Sequence, residues 1–402
     1  MHVAMIDPSL FTLPYDLKLI GGLTRQGHTV DFYGKPVPPE EVMKADTFIR
    51  PHFYRPMTAW QLGRLPGPLA KAAKGLCHLD GMRRLVRDLK SSKPDVIHFQ
   101  WLPLPLVDRR FLGALRRIAP LVITAHDSQP FNANPGAALQ QVGATSVLGA
   151  FDRVIVHTAQ AERRLLHYGV RPERIRRVAH GFLNDDQPMA TPPAIDQQAP
   201  VRFVLFGKIK PYKGVDLLIE AVRQLRPAAQ ARCEVLVIGR PYMDTTPLTS
   251  AAAALGDRIR FDFRFVPDDE LLAVLNGADV LIFPYREIDM SGVLMAALRT
   301  GRPIVASNIG GFAELLEHER NALLVPPDDV PALTQAIERI ILDGETRRAL
   351  SAGVAALAAE IPDWDTIAGL TTAVYQQSRG DAETPLGVSA DALARRSALE
   401  SG

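Results

Sequence analysis

Phe206-Gly207-Lys208-Ile209-Lys210-Pro211-Tyr212-Lys213-Gly214-Val215-Asp216-Leu217-Leu218-Ile219-Glu220-Ala221 reads as a strand end, a glycine turn and a helix that begins near Lys213. The apolar run Arg202–Phe206 feeds the turn, and Val215–Leu225 carries apolar residues at helical spacing. A strand–turn–helix unit belongs to an open α/β sheet, where ligands bind at the carboxyl ends of the strands. Lys208 and Lys213 fall on that end. Two ammonium groups there either hold a pyrophosphate or form a solvated basic loop. The spacing is not that of a Walker loop, because no Gly-x4-Gly-Lys-Ser/Thr occurs.

Downstream, Phe283-Pro284-Tyr285-Arg286-Glu287-Ile288-Asp289-Met290-Ser291-Gly292-Val293-Leu294 joins another apolar run, Val280–Phe283, to a helix running to about Arg299. Ser291 suits an N-cap, and Gly292 admits a close backbone approach. The amides of Ser291, Gly292 and Val293 would face phosphate oxygens, and Glu287 and Asp289 would accept hydrogen bonds from sugar hydroxyls. The plainer alternative is a capped helix preceded by solvated acids.

Working outward, short apolar runs alternate with helical patterns along nearly the whole chain. His2–Ile6, Thr29–Phe32, Val96–Phe99, Leu121–Thr124 and Val154–Val156 precede a polar, Pro-rich stretch, and six further runs follow it. This predicts two Rossmann-like α/β domains facing a cleft: residues 1–182, a linker at 183–200, and residues 201–360. A helix at 361–377 crosses back to the first domain, and 378–402 is a flexible tail.

Composition narrows the class. The 402 residues are 47% hydrophobic and 22% charged, which excludes a disordered chain. Two cysteines exclude a disulfide scaffold and read as reduced thiols. With neither a signal peptide nor a membrane-spanning run, a cytoplasmic location is expected. The net charge of +2 hides an asymmetry: 25 Lys and Arg against 14 Asp and Glu in residues 1–182, and 21 against 30 in the remainder. Residues 50–93 hold ten Lys and Arg (Arg50, Arg55, Arg64, Lys71, Lys74, Arg83, Arg84, Arg87, Lys90 and Lys93) with Trp60, Leu62, Leu65, Leu69 and Leu76 between them. Such a surface either sits on an anionic membrane, peripherally at its inner face, or is a solvated helical face. No nucleic-acid partner is expected, because no binding motif accompanies the charge.

In the first domain, Leu121–Thr124 leads into Ala125-His126-Asp127, which puts an imidazole and a carboxylate at a strand's carboxyl end. His98 ends another strand, with cleft-lining and core roles both open.

Gly-Lys-x4-Lys-Gly at 207–214, the 284–292 loop, Thr300–Ser307, Ile309–Glu314 and Asn321–Asp329 occur in order. Together they resemble the nucleotide-sugar lobe of glycosyltransferase family 4, retaining enzymes of GT-B fold; the likeness is clear over about 200–375. The resemblance implies a metal-independent transferase using a UDP- or GDP-linked sugar as co-substrate, with no cofactor or metal. It implies a small-molecule, glycan or lipid-linked acceptor. It places Lys208 and Lys213 on the donor diphosphate after Gly207, and His126 beside the reacting sugar. It makes Phe265 and Val266 the segment whose backbone meets the base, and Glu314 a further carboxylate at this edge. Val178–Phe182 matches the family's His-Gly turn near the hinge, at His180 and Gly181. The family's Glu-x7-Glu pair falls on Ile288 and Ala296, so Glu287 or Asp289 would take the sugar-binding, catalytic role, and the ribose must be held by another group. The first loop lacks the family's Gly-Gly, so Ser9, Thr12 and Tyr15 would substitute on the acceptor side, with Asp127 and His98 near them. Set against this reading are a GT-B epimerase or phosphorylase, and a non-catalytic glycosyltransferase-like scaffold.

Overall fold

Strands of three to six residues with both faces covered require a parallel sheet sandwiched by helices, and two such sheets organise the chain. The computed structural model describes residues 1–37, 49–54, 67–127, 147–186 and 199–381. They divide into two compact units, Met1–Gly181 with Pro362–Gly402, and Phe182–Ile361. Most of the expected linker (187–198) and tail (382–402) lie outside the described residues, as do Arg55, Trp60, Leu62, Arg64 and Leu65.

The first unit holds β1 (His2–Ile6), β2 (Thr29–Gly34), β3 (Ile49–Pro51), β4 (Val96–Phe99), β5 (Leu121–Thr124), β6 (Arg153–Val156) and β7 (Ile175–Arg177). They pair in parallel in the order β3-β2-β1-β4-β5-β6-β7. Helices α1 (Leu13–Arg25), α2 (Gly67–Ser92), α3 (Pro105–Arg116) and α4 (Ala159–His167) connect them. β3 and β7 were not expected, because three-residue edge strands such as Ile175-Arg176-Arg177 carry no apolar run.

The second unit holds β8 (Val201–Phe206), β9 (Cys233–Ile238), β10 (Ile259–Asp262), β11 (Val280–Phe283), β12 (Ile304–Ser307) and β13 (Ala322–Val325), all parallel, in the order β10-β9-β8-β11-β12-β13. Side chains alternate across the sheet. Phe203, Leu205, Val280 and Ile282 enter one core with α5 (Val215–Gln224). Val204, Leu281 and Phe283 enter the other with α6 (Gly292–Leu298). The expected helix start near Lys213 is displaced: Pro211–Lys213 is a 3-10 turn, Gly214 is left-handed at φ 66°, and α5 starts at Val215.

The last helix, α7 (Trp364–Arg379), packs against α1 and belongs to the first unit. Its pin is polar. Tyr375, fully buried, lies 2.7 Å from His98 Nδ1, and His98 Nε2 lies 2.8 Å from Thr124 Oγ. Burial holds the His98 pKa down at about 3, so the ring is neutral. An acceptor-side role for His98 is therefore corrected: its ring is sealed from solvent and both nitrogens serve the core. Tyr375→Phe should cost about 1–3 kcal/mol by leaving Nδ1 with only the more distant Gln100 amide. The expected outcome is a thermal midpoint lower by a few degrees in circular dichroism, with secondary structure retained.

Candidate functional site

In the second sheet the strand order reverses between β8 and β11, the place where open α/β sheets leave a crevice. The two loops that flank it are tied backbone to backbone, with Arg286 N–H donating to the Tyr212 carbonyl at 2.8 Å. Gly214 permits this. At φ 66° it lies so close to Pro284 that a Cβ would overlap the Pro284 carbonyl oxygen. Arg286 clamps the turn from the other side, donating to both Asp216 oxygens at 2.9 and 2.7 Å, to Asp328 at 2.7 Å and to the Pro211 carbonyl at 2.9 Å. Burial would raise the Asp216 carboxyl, but the Arg286 guanidinium outweighs it and holds it low.

The clamp carries Lys213 inward. Its side chain is 4% exposed, its Nζ donates to the Tyr285 hydroxyl, and Nζ stands 4.0 Å from the Tyr285 ring centroid. Nζ is also 3.1 Å from the position that a Cβ on Gly207 would occupy, and Val293 is 3.7 Å from the same point. Gly207 (φ 128°), Lys213 and Val293 thus meet at one spot. Burial first, and the charges of Lys208 and Lys210 second, bring the Lys213 pKa down to about 7. An anion arriving beside Nζ would restore its charge.

The remaining donor-side candidates are distributed as follows. Lys208 is exposed at the mouth of the turn. Ser291 caps α6, its Oγ accepting the Leu294 N–H at 3.2 Å, so the amides of Gly292 and Val293 are first-turn groups without intrahelical acceptors. Asp289 is half-buried and its carbonyl accepts the Gly311 N–H at 2.7 Å; Glu287 is exposed. Ala296 is core, 2% exposed among apolar neighbours, and offers nothing to a ribose. Glu314 is exposed on the short helix Gly310–Leu315. Phe265 is 69% exposed and Val266 is buried, in the loop after β10, which β9 separates from β8. Four contributors escaped the sequence reading: Tyr285 as the floor under Lys213, Arg286 as the clamp, and Lys210 and Arg240, which flank the Tyr242 ring at 5.9 and 5.7 Å. Tyr285, Arg286 and Lys210 stood in quoted motifs, but only the folded contacts reveal what they hold.

In the first sheet the order reverses between β1 and β4. The loop after β1 is closed on its own acids. Asp7, fully buried, accepts the N–H groups of Ser9 at 3.1 Å and Thr12 at 2.9 Å, and the Thr12 hydroxyl donates to Asp7 and Asp16. Burial and the neighbouring Asp7 push the Asp16 carboxyl well above its usual range. Tyr15 is 3% exposed on α1, its ring 4.7 Å from His126, 5.3 Å from both His157 and His180, and 5.0 Å from Trp364 between centroids. The expectation that Thr12 and Tyr15 substitute for a Gly-Gly turn is corrected, since the hydroxyl of one serves the loop's acids and the other is packed inside. Ser9 stays half-buried in the turn.

His126 follows β5 and is partly exposed, with Asp127 exposed beside it. Its Nε2 lies 2.9 Å from Gln100 Oε1, and Gln100 Nε2 lies 3.4 Å from His98 Nδ1. The amide oxygen facing His126 places its proton on Nε2 and leaves Nδ1 as an acceptor. Burial, then His157, His180 and His98, hold its pKa well below the ordinary value, so the ring is neutral. A pocket of about 40 Å³ opens here, lined by Gln100, Trp101, Ile123, His126, Asp127 and Leu148 among others. Among the described residues no cluster of three or more His, Cys, Asp or Glu could hold a metal. One Asp-x-Asp triplet does exist, Asp363-Trp364-Asp365. Asp363 caps α7 through the Thr366 N–H at 2.7 Å, and Asp365 pairs with Arg25 at 2.7 Å.

Known proteins bear on this arrangement. Residues 17–182 match the Glycosyltransferase Family 4 domain, and residues 200–343 match the domain described as Glycosyl transferases group 1. A D-inositol 3-phosphate glycosyltransferase of Saccharomonospora viridis is 26% identical over 357 residues, covering 82% of this chain and 81% of the relative. The enzyme of the same name from Jonesia denitrificans is 28% identical over 344 residues, covering 78% of each. Among solved structures, Anabaena HepE in complex with UDP and glucose superposes with a TM-score of 0.70 at 19% identity, covering 92% of this chain and 98% of that one. A sucrose-phosphate synthase from Thermosynechococcus elongatus gives 0.69 at 19% identity, covering 94% and 98%. With one family domain matched in each unit and the same two-sheet fold in these neighbours, the chain belongs to glycosyltransferase family 4 and is a glycosyltransferase of GT-B fold.

Proposed function

We propose that the protein is a retaining transferase that moves a sugar from a UDP-linked donor to an acceptor hydroxyl without a metal. The observation that carries this reading is Lys213 buried at the switch point of the second sheet, against Gly207 and the start of α6. A diphosphate seated there meets the Lys213 ammonium, Lys208 at the mouth and the Gly292 and Val293 amides, which together neutralise the charge that develops on the leaving group. Glu287 or Asp289 orients the sugar, and His126, neutral with Nδ1 as acceptor, receives a hydrogen bond from a sugar or acceptor hydroxyl. Retention follows attack on the face that the diphosphate leaves, with a departing phosphate oxygen taking the acceptor proton. UDP is favoured over GDP because a structural neighbour was solved with UDP. Metal independence has support in the carboxylates of Asp363 and Asp365, which cap a helix and hold Arg25.

The scaffold alternative rests on Ala296, which deprives the ribose of a carboxylate. The buried lysine speaks against it, since an ammonium out of water with no carboxylate partner among the described residues costs stability that a scaffold has no use for. No described helix is long and apolar enough to cross a membrane. Exposed Lys74, Arg83, Arg87 and Lys90 along α2 and Lys93 just past its end, with Leu69 and Leu76 at its start, support docking of the first unit on an anionic membrane, where a lipid-linked acceptor would lie.

Two measurements test the donor site. Free Lys213, with its pKa brought to about 7, is largely neutral at pH 8, whereas a bound diphosphate favours the charged form. UDP binding should therefore take up close to one proton at about pH 8 and progressively less toward pH 6, read by calorimetry in buffers of different ionisation enthalpy. Uptake independent of pH would remove Lys213 from the site. Lys213→Ala should lower transfer by at least about a hundredfold with the thermal midpoint preserved or raised. Near-normal turnover of a UDP-sugar in that variant would overturn the assignment.

A further inference from the structure

The switch point of the first sheet is chemically unlike that of the second. Phe11, in the loop after β1, is 59% exposed and stacks on Trp101, in the loop after β4, with ring centroids 4.7 Å apart and planes at 27°. Leu10 takes a left-handed φ of 52°, a costly conformation for a leucine, and its side chain is buried while Phe11 stands outward. Trp101 also lines the 40 Å³ pocket with Gln100, His126 and Asp127. That volume has room for about three waters, or one small exocyclic substituent. An aromatic floor, a small pocket and convergent hydroxyl-binding groups meet at the place where open sheets bind ligands.

Charge sets the class of ligand. Residues 1–17, 94–108 and 118–152 contain no Lys or Arg, and they include the loops after β1, β4 and β5. The acids of the loops themselves are Asp7, fully buried, and Asp127 at the surface, and the helices that follow β1 and β4 add the fully buried Asp16 and Asp108. A phosphate dianion would meet the Asp127 carboxylate and no guanidinium or ammonium from these loops. A sugar ring has the opposite needs: an apolar C–H face that stacks on indole and hydroxyls that donate to carboxylate, amide and imidazole acceptors.

We propose that this crevice binds the acceptor as an uncharged carbohydrate or cyclic polyol, its ring on Trp101 and Phe11 and one exocyclic group in the pocket beside His126 and Asp127. The proposal rests on the transferase reading and adds the acceptor class to it. It sets this chain apart from the relatives whose names specify a phosphorylated acceptor.

The test uses the full chain with UDP-glucose and matched pairs of acceptors: myo-inositol with D-inositol 3-phosphate, and methyl glucosides and mannosides with their 6-phosphates. The expected result is transfer to uncharged members, at least about tenfold better in kcat/KM than to their phosphorylated counterparts. Trp101→Ala should raise acceptor KM about tenfold with UDP affinity by calorimetry unchanged, and Phe11→Ala, at an exposed position, should do the same more weakly. Asp127→Arg should shift preference toward the phosphorylated partner. Transfer confined to phosphorylated acceptors, or an unchanged acceptor KM in both aromatic variants, overturns the proposal while the transferase reading stands. No transfer to any acceptor, with no binding of UDP, overturns that reading and the proposal with it.

Discussion

A lysine ammonium held out of water with no carboxylate beside it among the described residues is the feature on which the second unit turns. Burial of Lys213 brings its pKa down to about 7, and what faces its ammonium is the hydroxyl and ring of Tyr285 and, farther off, the Tyr212 ring. Such a group persists only when its surroundings over-determine it. They do so here through backbone. Gly214 lies on the Pro284 carbonyl, Arg286 locks the 211–216 turn to the loop after β11, and Asp328 completes the clamp. The fold thereby keeps a lysine poised between its charged and neutral forms near neutral pH, in a desolvated place where an anion gains more than from a solvated lysine. Electrostatic strength in a desolvated site, with no reorganisation left to do, is what a leaving diphosphate requires.

The same topology produces a different chemistry in the first unit. Its switch point lies between β1 and β4, where a buried carboxyl pair replaces the basic turn. Asp7 and Asp16 cannot both ionise cheaply in one desolvated loop: burial raises both, and the neighbouring Asp7 charge raises Asp16 further. Beside them a run of neutral groups links Tyr375, His98, Gln100 and His126, and that run decides which nitrogen of His126 carries the proton. The C-terminal helix α7 therefore does more than pack on α1. Through Tyr375 it reaches the ring that reaches Gln100.

The sequence made the architecture legible because both sheets are parallel and buried on both faces. Val96–Phe99, Leu121–Thr124, Val280–Phe283 and Ala322–Val325 are runs that no exposed strand would tolerate, and each is a strand. β3 and β7 were hidden because an edge strand needs neither length nor apolarity. The Ser291 cap was readable, since a hydroxyl before a helical run has one common use. The fate of polar side chains in the first loop was not. Thr12 and Tyr15 carry hydroxyls suited to a ligand, and only the fold shows that one serves two carboxylates and the other is walled in by three imidazoles and Trp364. Nor could His98 be separated from His126 by sequence, as both sit at strand ends; the difference is one buried tyrosine from a helix 277 residues away. Long-range partners decide such cases, and a single sequence does not name them.

Global charge proves to be a poor guide to either site. The first unit carries most of the excess cations, yet its switch-point loops contain none; the excess lies on α2 and on Arg163, Arg164, Arg171, Arg174, Arg176 and Arg177. The second unit belongs to the acidic half, yet its switch point gathers Lys208, Lys210, Lys213 and Arg240 within two adjacent loops. Debye screening limits the reach of surface charge to about 8–10 Å at physiological salt. A surface cation on α2 thus contributes little in a distant crevice, whereas an ammonium buried a few ångströms from a ligand is hardly screened. Each unit can accordingly present one charge to a membrane or to solvent and another to its substrate. The proposed division of labour between an anionic donor and an uncharged acceptor needs only a few loop residues at two switch points, and leaves the rest of the surface free for other duties.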